Sequence, residues 1–162
     1  MLNLYLLRHA KSSWKDGGLD DIDRPLNKRG KAACKIMAPI VTEHHYDKIF
    51  CSPAVRARET IRRIAKHSQT KDIKWEIAPA LYTFNSEDLF AWCRQLNAQL
   101  KSVLIAGHNP TITDFCNQLT NTEIDNVPTG GFVSLLMAVE HWSAIDKNTA
   151  ELSQFYKPKD FD

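Results

Sequence analysis

Three short runs of this chain are apolar at every position, and each ends in residues that carry chemistry. Leu4-Tyr5-Leu6-Leu7 leads into Arg8-His9. Ile49-Phe50-Cys51 leads into Ser52-Pro53, with Arg56 one turn further on. Leu104-Ile105-Ala106 leads into Gly107-His108-Asn109-Pro110. A strand that hides only one face alternates apolar and polar residues. An unbroken apolar run reads instead as a strand covered on both faces. Covering both faces of one sheet requires helices on both sides, and the segments between the runs carry helical periodicity. The predicted class is α/β: a three-layer α/β/α arrangement with a mainly parallel central sheet.

The remaining elements follow from local signals. Asn27 is a predicted cap for a helix carrying Ala32, Ala33, Ile36, Met37, Ile40 and Val41, and Pro39 is predicted to kink or end it. Ser52 is predicted to cap the helix after the second run, with Pro53 in its first turn. Asn109-Pro110 repeats that device ahead of Ile112, Phe115, Cys116 and Leu119. A strand is expected at 74–77, a helix at 86–100, a strand at 132–139 and an edge strand at 150–155. The polar tail from Lys157 is predicted to be loose. At 162 residues the chain suits one domain, 1–162.

Composition excludes several classes. A net charge of +2 is too small to make nucleic acid or a membrane surface the main partner. Four cysteines at wide spacing, with no C-x-x-C pair, argue against a zinc site and need no disulfide framework. They read as small buried thiols in a reducing cytoplasm. The opening apolar run stops at Arg8 with no basic stretch before it, so it does not read as a signal peptide. No segment nears the roughly 18 apolar residues of a membrane span. The expected location is cytoplasmic.

In open α/β sheets ligands bind beyond the carboxyl ends of the parallel strands. The three run ends therefore converge on one expected site, with two arginines, two histidines and two helix N-termini. Arginine presents a planar fork of donors that matches phosphate oxygens, and a helix N-terminus adds free amides. No Gly-rich phosphate loop and no metal cluster are apparent. The arginines would supply the counter-charge themselves, with no cofactor and no metal. Neutral imidazole is a competent phosphoryl acceptor, and surrounding arginines favour its neutral form.

Leu7-Arg8-His9-Ala10-Lys11 resembles the signature of the histidine phosphatase superfamily. Asp23-Arg24-Pro25-Leu26-Asn27-Lys28-Arg29-Gly30, the segment from Ser52 to Thr60, and Gly107-His108-Asn109-Pro110 are similar to its later blocks, in the same order. The Leu-Leu-Arg-His-Ala-Lys-Ser-Ser-Trp opening and the length are most similar to the small SixA-type branch. The resemblance implies a phosphoglycerate mutase-like fold. It implies His9 as a nucleophile that becomes phosphohistidine, Arg8 and Arg56 as clamps on the phosphoryl oxygens, and His108 as a donor to one of them. Arg24 is a further phosphate ligand by the same resemblance; Ser13 and Asn109 complete the substrate-binding candidates. Ser12 and Ser13 either face the site or cap a turn, and Trp14 either rims the site or packs on its loop.

Two departures bear on substrate. Ala10 replaces the usual glycine of the first block. Many relatives place an acidic proton donor near Leu81-Tyr82 or directly after the second histidine; here Tyr82 and Asn109 stand there, with Glu87 and Asp88 nearby. Losing a general acid slows departure of an alkoxide by roughly 10²–10⁴-fold, whereas a protonated imidazole leaves as a neutral ring. The leading expectation is a metal-independent protein phosphohistidine phosphatase acting on a histidine-phosphotransfer or phosphocarrier domain. The alternatives are a small-molecule phosphomonoesterase of the same superfamily and a phosphoprotein-binding module without turnover.

Overall fold

The computed structural model describes residues 1–69 and 72–162. Among these residues six strands form one sheet: β1 (Asn3–Arg8), β2 (Lys48–Cys51), β3 (Glu76–Ile77), β4 (Ser102–Gly107), β5 (Phe132–Met137) and β6 (Ala150–Tyr156). Their order is β3-β2-β4-β1-β5-β6. The first four run parallel, while β5 and β6 are antiparallel at one side. The helices are α1 (Lys28–Thr42), α2 (Val55–Lys66), α3 (Ser86–Arg94) and α4 (Thr111–Thr120).

The unbroken apolar run of β1 serves two cores. Leu4 and Leu6 pack with Leu89, Phe90, Ile112 and Phe115 of α3 and α4. Tyr5 and Leu7 point the other way, into Met37, Val41 and Ile61 of α1 and α2. Strand side chains alternate faces, so a run with helices on both sides must be apolar throughout. The result is the expected three-layer α/β/α arrangement with a mainly parallel sheet.

The topology places the site. The chain leaves β1 into α1 on one face of the sheet and leaves the adjacent β4 into α4 on the other. The carboxyl ends of β1 and β4 therefore diverge, and a crevice opens between them. His9 follows β1 and His108 follows β4.

Several local expectations are corrected. Pro39 does not end α1, which continues to Thr42. Proline deprives the carbonyl four residues earlier of a donor, but Lys35 and Pro39 are both exposed, so water can satisfy it. The buried stripe of α1 is Gly30, Cys34, Met37, Ala38 and Val41, which leaves Ala32 exposed. Helix α3 stops at Arg94, short of the expected end, and a turn follows in which the Asn97 side chain accepts from the Gln99 amide. The third strand keeps only Glu76 and Ile77, and β5 ends at Met137. The tail is ordered: Pro158–Phe161 forms a 3-10 turn, with the Lys157 amide donating to the Asp160 carboxylate at 3.0 Å.

Candidate active site

Two close backbone approaches build the floor of the crevice. At Gly30, in the first turn of α1, a Cβ would lie 2.1 Å from the carbonyl oxygen of Lys11, so only glycine lets α1 seat against the loop after β1. Asn27 caps α1 as expected, its Oδ1 accepting from the Gly30 amide at 2.8 Å. Gly130 adopts φ +76° and donates its amide to the carbonyls of Arg8 and His9 at 3.1 and 3.0 Å. The Ala10 amide donates to Thr60 Oγ1 on α2 at 2.9 Å. The turn that carries His9 is thus held from three directions.

His9 is 7% exposed, and its ring nitrogens have separate tasks. Nδ1 lies 2.7 Å from the Ala10 carbonyl oxygen, which can only accept, so Nδ1 carries the proton. Nε2 then holds the lone pair, facing Arg56 Nε at 3.3 Å. Burial lowers the pKa of His9 to about 4; the Ala10 carbonyl opposes this, and Arg56, Arg8 and Arg24 reinforce it. At neutral pH the ring is uncharged and surrounded by cations, the state in which an imidazole can attack phosphorus.

His108 is oriented by Ser52. Its Nε2 lies 2.7 Å from Ser52 Oγ, which also accepts from the Ala54 amide at 3.2 Å. Ser52 is not the helix cap expected of it: α2 starts at Val55, after Ala54. One Ser52 lone pair takes the Ala54 amide, and among the described residues Nε2 is the acceptor that faces the hydroxyl proton; donated there, it leaves the proton of His108 on Nδ1. That Nδ1 is buried and has no hydrogen-bond partner among the described residues, and the same holds for Nε of Arg8. Burial first, then His9 and Arg56, lowers the pKa of His108 to about 3. The two rings are 5.2 Å apart, centroid to centroid.

Arg8, His9, Arg24, Arg56, His108 and Asn109 line one pocket of about 260 Å³. Arg8 is anchored by NH1 to the Val127 carbonyl at 3.0 Å. Arg24 is 7% exposed and reaches Ser12 Oγ at 2.6 Å, beneath the Trp14 ring at 3.5 Å. Ser12 lines the pocket; Ser13 is not among its lining residues, and its hydroxyl accepts from the Lys15 amide at 3.2 Å. Asn109 lines the pocket with its amide engaged: Oδ1 accepts from Thr113 and Nδ2 donates to Val127.

Asp21, on the loop between β1 and α1, is a member of the site. Its carboxylate accepts from Arg56 at 2.9 Å, from Arg24 at 3.2 Å and from the Tyr82 hydroxyl at 2.6 Å. Burial opposes its ionisation, but the hydrogen bonds from Tyr82, Arg56 and Arg24 outweigh that and hold its pKa at about 2. No signal in one sequence separates Asp21 from Asp20 or Asp23. Ser52 and Thr60 belonged to a block that the sequence did mark, although their partners were not readable. Neither Glu87 nor Asp88 lines the pocket, and Asp88 accepts from Thr83. Among the described residues no group of three His, Cys, Asp or Glu side chains could hold a metal ion.

A buried, unprotonated Nε2 beside three guanidinium groups and an unpartnered N–H is suited to a phosphoryl group: attack from one side, with neutralisation of the equatorial oxygens around it. The histidine phosphatase superfamily (branch 1) matches the chain over residues 4–89, just over half its length. A protein from Mycobacterium leprae is 26% identical over 94% of this chain and its own full length. Phosphoserine phosphatase 1 of Hydrogenobacter thermophilus is 36% identical over 46% of this chain and 36% of that protein. A structure assigned to phosphohistidine phosphatase SixA of Agrobacterium tumefaciens is 27% identical, with a TM-score of 0.78 over 97% of this chain and 98% of that one. The protein histidine phosphatase SixA bound to tungstate, at 19% identity, shares the fold with a TM-score of 0.80 over 99% and 100% of the two chains. The architecture is the expected phosphoglycerate mutase-like one, and the chain belongs to the histidine phosphatase superfamily, with the SixA-type form of that fold.

Proposed function

We propose that this phosphatase is a metal-independent protein phosphohistidine phosphatase, with His9 as its nucleophile. Nε2 of His9 attacks phosphorus as the P–N bond of the substrate breaks, and the departing imidazole takes a proton from solvent. Arg8, Arg24 and Arg56 neutralise the equatorial oxygens, and His108 donates Nδ1–H to one of them. Water then attacks the phosphohistidine on His9, releasing inorganic phosphate and restoring the ring.

The observation that carries the choice of a P–N substrate is the state of the one carboxyl group in the pocket. Asp21 is held ionised by two arginines and Tyr82, so it can accept but not supply a proton at neutral pH. An alkoxide would leave poorly from such a site, whereas imidazole protonated by solvent leaves well. The mouth supports a protein substrate. Trp14 and Phe84 both line it and are 76% and 47% exposed, an apolar rim of the kind partner proteins cover. The solved SixA structures described above support a phosphohistidine-bearing protein, and a histidine-phosphotransfer or phosphocarrier domain fits that chemistry. Four buried, unpaired thiols support the cytoplasm as its compartment. No helix among the described residues is long and apolar enough to cross a membrane.

The test is phosphate release from a histidine-phosphotransfer domain and from a panel of phosphomonoesters, both in EDTA. Release from the phosphorylated domain that persists in EDTA and is lost in His9→Ala is the expected result. Release mainly from monoesters would make it a small-molecule phosphatase, a reading that the likeness to phosphoserine phosphatase 1 favours over part of the chain. Binding without turnover would make it a phosphoprotein-binding module.

A further inference from the structure

A second and larger cleft, about 670 Å³, adjoins the active site and shares Lys11 and Thr129 with it. Its floor is apolar, formed by Ala32, Ala33 and Ile36 of α1 with Pro128 and Pro158. Its rim carries four cations, Lys11, Arg29, Lys157 and Lys159, against one carboxylate side chain, Asp162. None of the four cations is in an ion pair among the described residues.

The placement of Arg29 is an independent sign. The first turn of α1 holds no acidic residue and begins Lys28-Arg29, with Lys31 close behind. Cations at a helix N-terminus oppose the helix dipole, where carboxylates would stabilise it. A helix start that is unfavourable by itself, facing a cleft of unpaired cations, is matched to an anionic partner. The active-site arginines do not account for it, because, apart from Lys11, its cations belong to α1 and the segment after β6.

We infer that this cleft seats an acidic surface of the phosphohistidine-bearing protein, next to its phosphorylated residue. The inference rests on the phosphohistidine reading of the active site and names the charge of the partner. Carboxylates beside the phosphohistidine pair with Arg29, Lys157 and Lys159, while the apolar floor takes the stems and neighbouring aliphatic side chains. The contribution is mainly to encounter and orientation, and it weakens with salt.

The test uses peptides carrying one phosphohistidine with glutamate, serine or lysine flanks, together with free phosphohistidine. The reading is the ratio of kcat/KM on the glutamate-flanked peptide to that on the lysine-flanked peptide. We expect a ratio of about tenfold or more at low salt, collapsing at high salt and in Arg29→Glu/Lys159→Glu. Lys101→Glu/Lys147→Glu, with the same charge change at the opposite end of the sheet, keeps the ratio. A ratio near one in the unaltered protein, or the same ratio in both double variants, overturns the docking inference and leaves the phosphatase reading intact. No release from free phosphohistidine or any peptide overturns the phosphohistidine reading, and the docking inference with it.

Discussion

His9 and His108 are the same side chain, almost equally buried, yet their neighbours commit them to opposite tasks. The Ala10 carbonyl takes the Nδ1 proton of His9 and leaves a lone pair on Nε2; the Ser52 hydroxyl takes the Nε2 lone pair of His108 and leaves a proton on Nδ1. One ring can attack and the other can donate. Ser52→Ala removes the hydroxyl that holds the second tautomer, and kcat should fall by about tenfold, the worth of one buried hydrogen bond. The nitrogen-15 shifts of His108 should then show mixed tautomers, whereas a merely structural serine would leave them unchanged. The pH dependence follows from the same environment. His9 must be neutral to attack and its pKa is about 4, so kcat/KM should rise with pH through about 4 and stay level from there to neutrality. Stability has its own sign. Both histidines have folded pKa values below the roughly 6.5 of an unfolded chain, so the unfolded state takes up protons first as pH falls below that value. Stability should drop between about pH 6.5 and pH 3, and urea midpoints for His9→Gln should drop less. Asp21, lowered to about 2, works in the same direction, but its share of stability is lost only at much lower pH, as pH falls through about 4 towards 2.

At the scale of elements, the site depends on how closely α1 can approach the loop after β1. Gly30 is the contact: an added methyl would meet the Lys11 backbone at 2.1 Å, and backbone cannot swing aside as a side chain tip can. Gly30→Ala should cost about 2–3 kcal/mol in urea denaturation. It should also lower activity, because the displaced loop carries His9 and Ser12. The helix starts differ in legibility for a related reason. Asn27 capped α1 as its position in the sequence predicted, because a cap is a local bond across three residues. Ser52 stood in the same local context and was drawn instead to His108, 56 residues away. A local rule describes the choice a side chain has before the rest of the molecule arrives.

For the whole molecule, the sheet order ranks the elements by protection. β1 lies between β4 and β5 and is covered on both faces, whereas β3 is a two-residue edge with both residues exposed. Hydrogen exchange should therefore be slowest at the amides of Leu4, Leu6 and Ile105 and fast at β3 and the loop around Asp16–Asp20. Uniform exchange along the sheet would contradict the two-core arrangement.

The sequence by itself determined the α/β class, the strands that bear the site, and four residues that meet there: Arg8, His9, Arg56 and His108. Each of these sits directly after, or one turn beyond, an unbroken apolar run, so burial and strand direction alone bring them together. Arg24 was legible by resemblance, and the tertiary structure showed how it arrives: Ser12 and Leu26 pair across the loop and turn it inward under Trp14. Only the tertiary structure decided which of three nearby aspartates holds the arginines, which of two serines lines the pocket, and which proton each histidine keeps. It also ordered the tail that the sequence read as loose, setting Pro158 against Gly130 at the edge of a charged cleft. Apolar periodicity is written along the chain and can be read there; hydrogen bonds between segments far apart in sequence depend on distances that exist only once the sheet has formed.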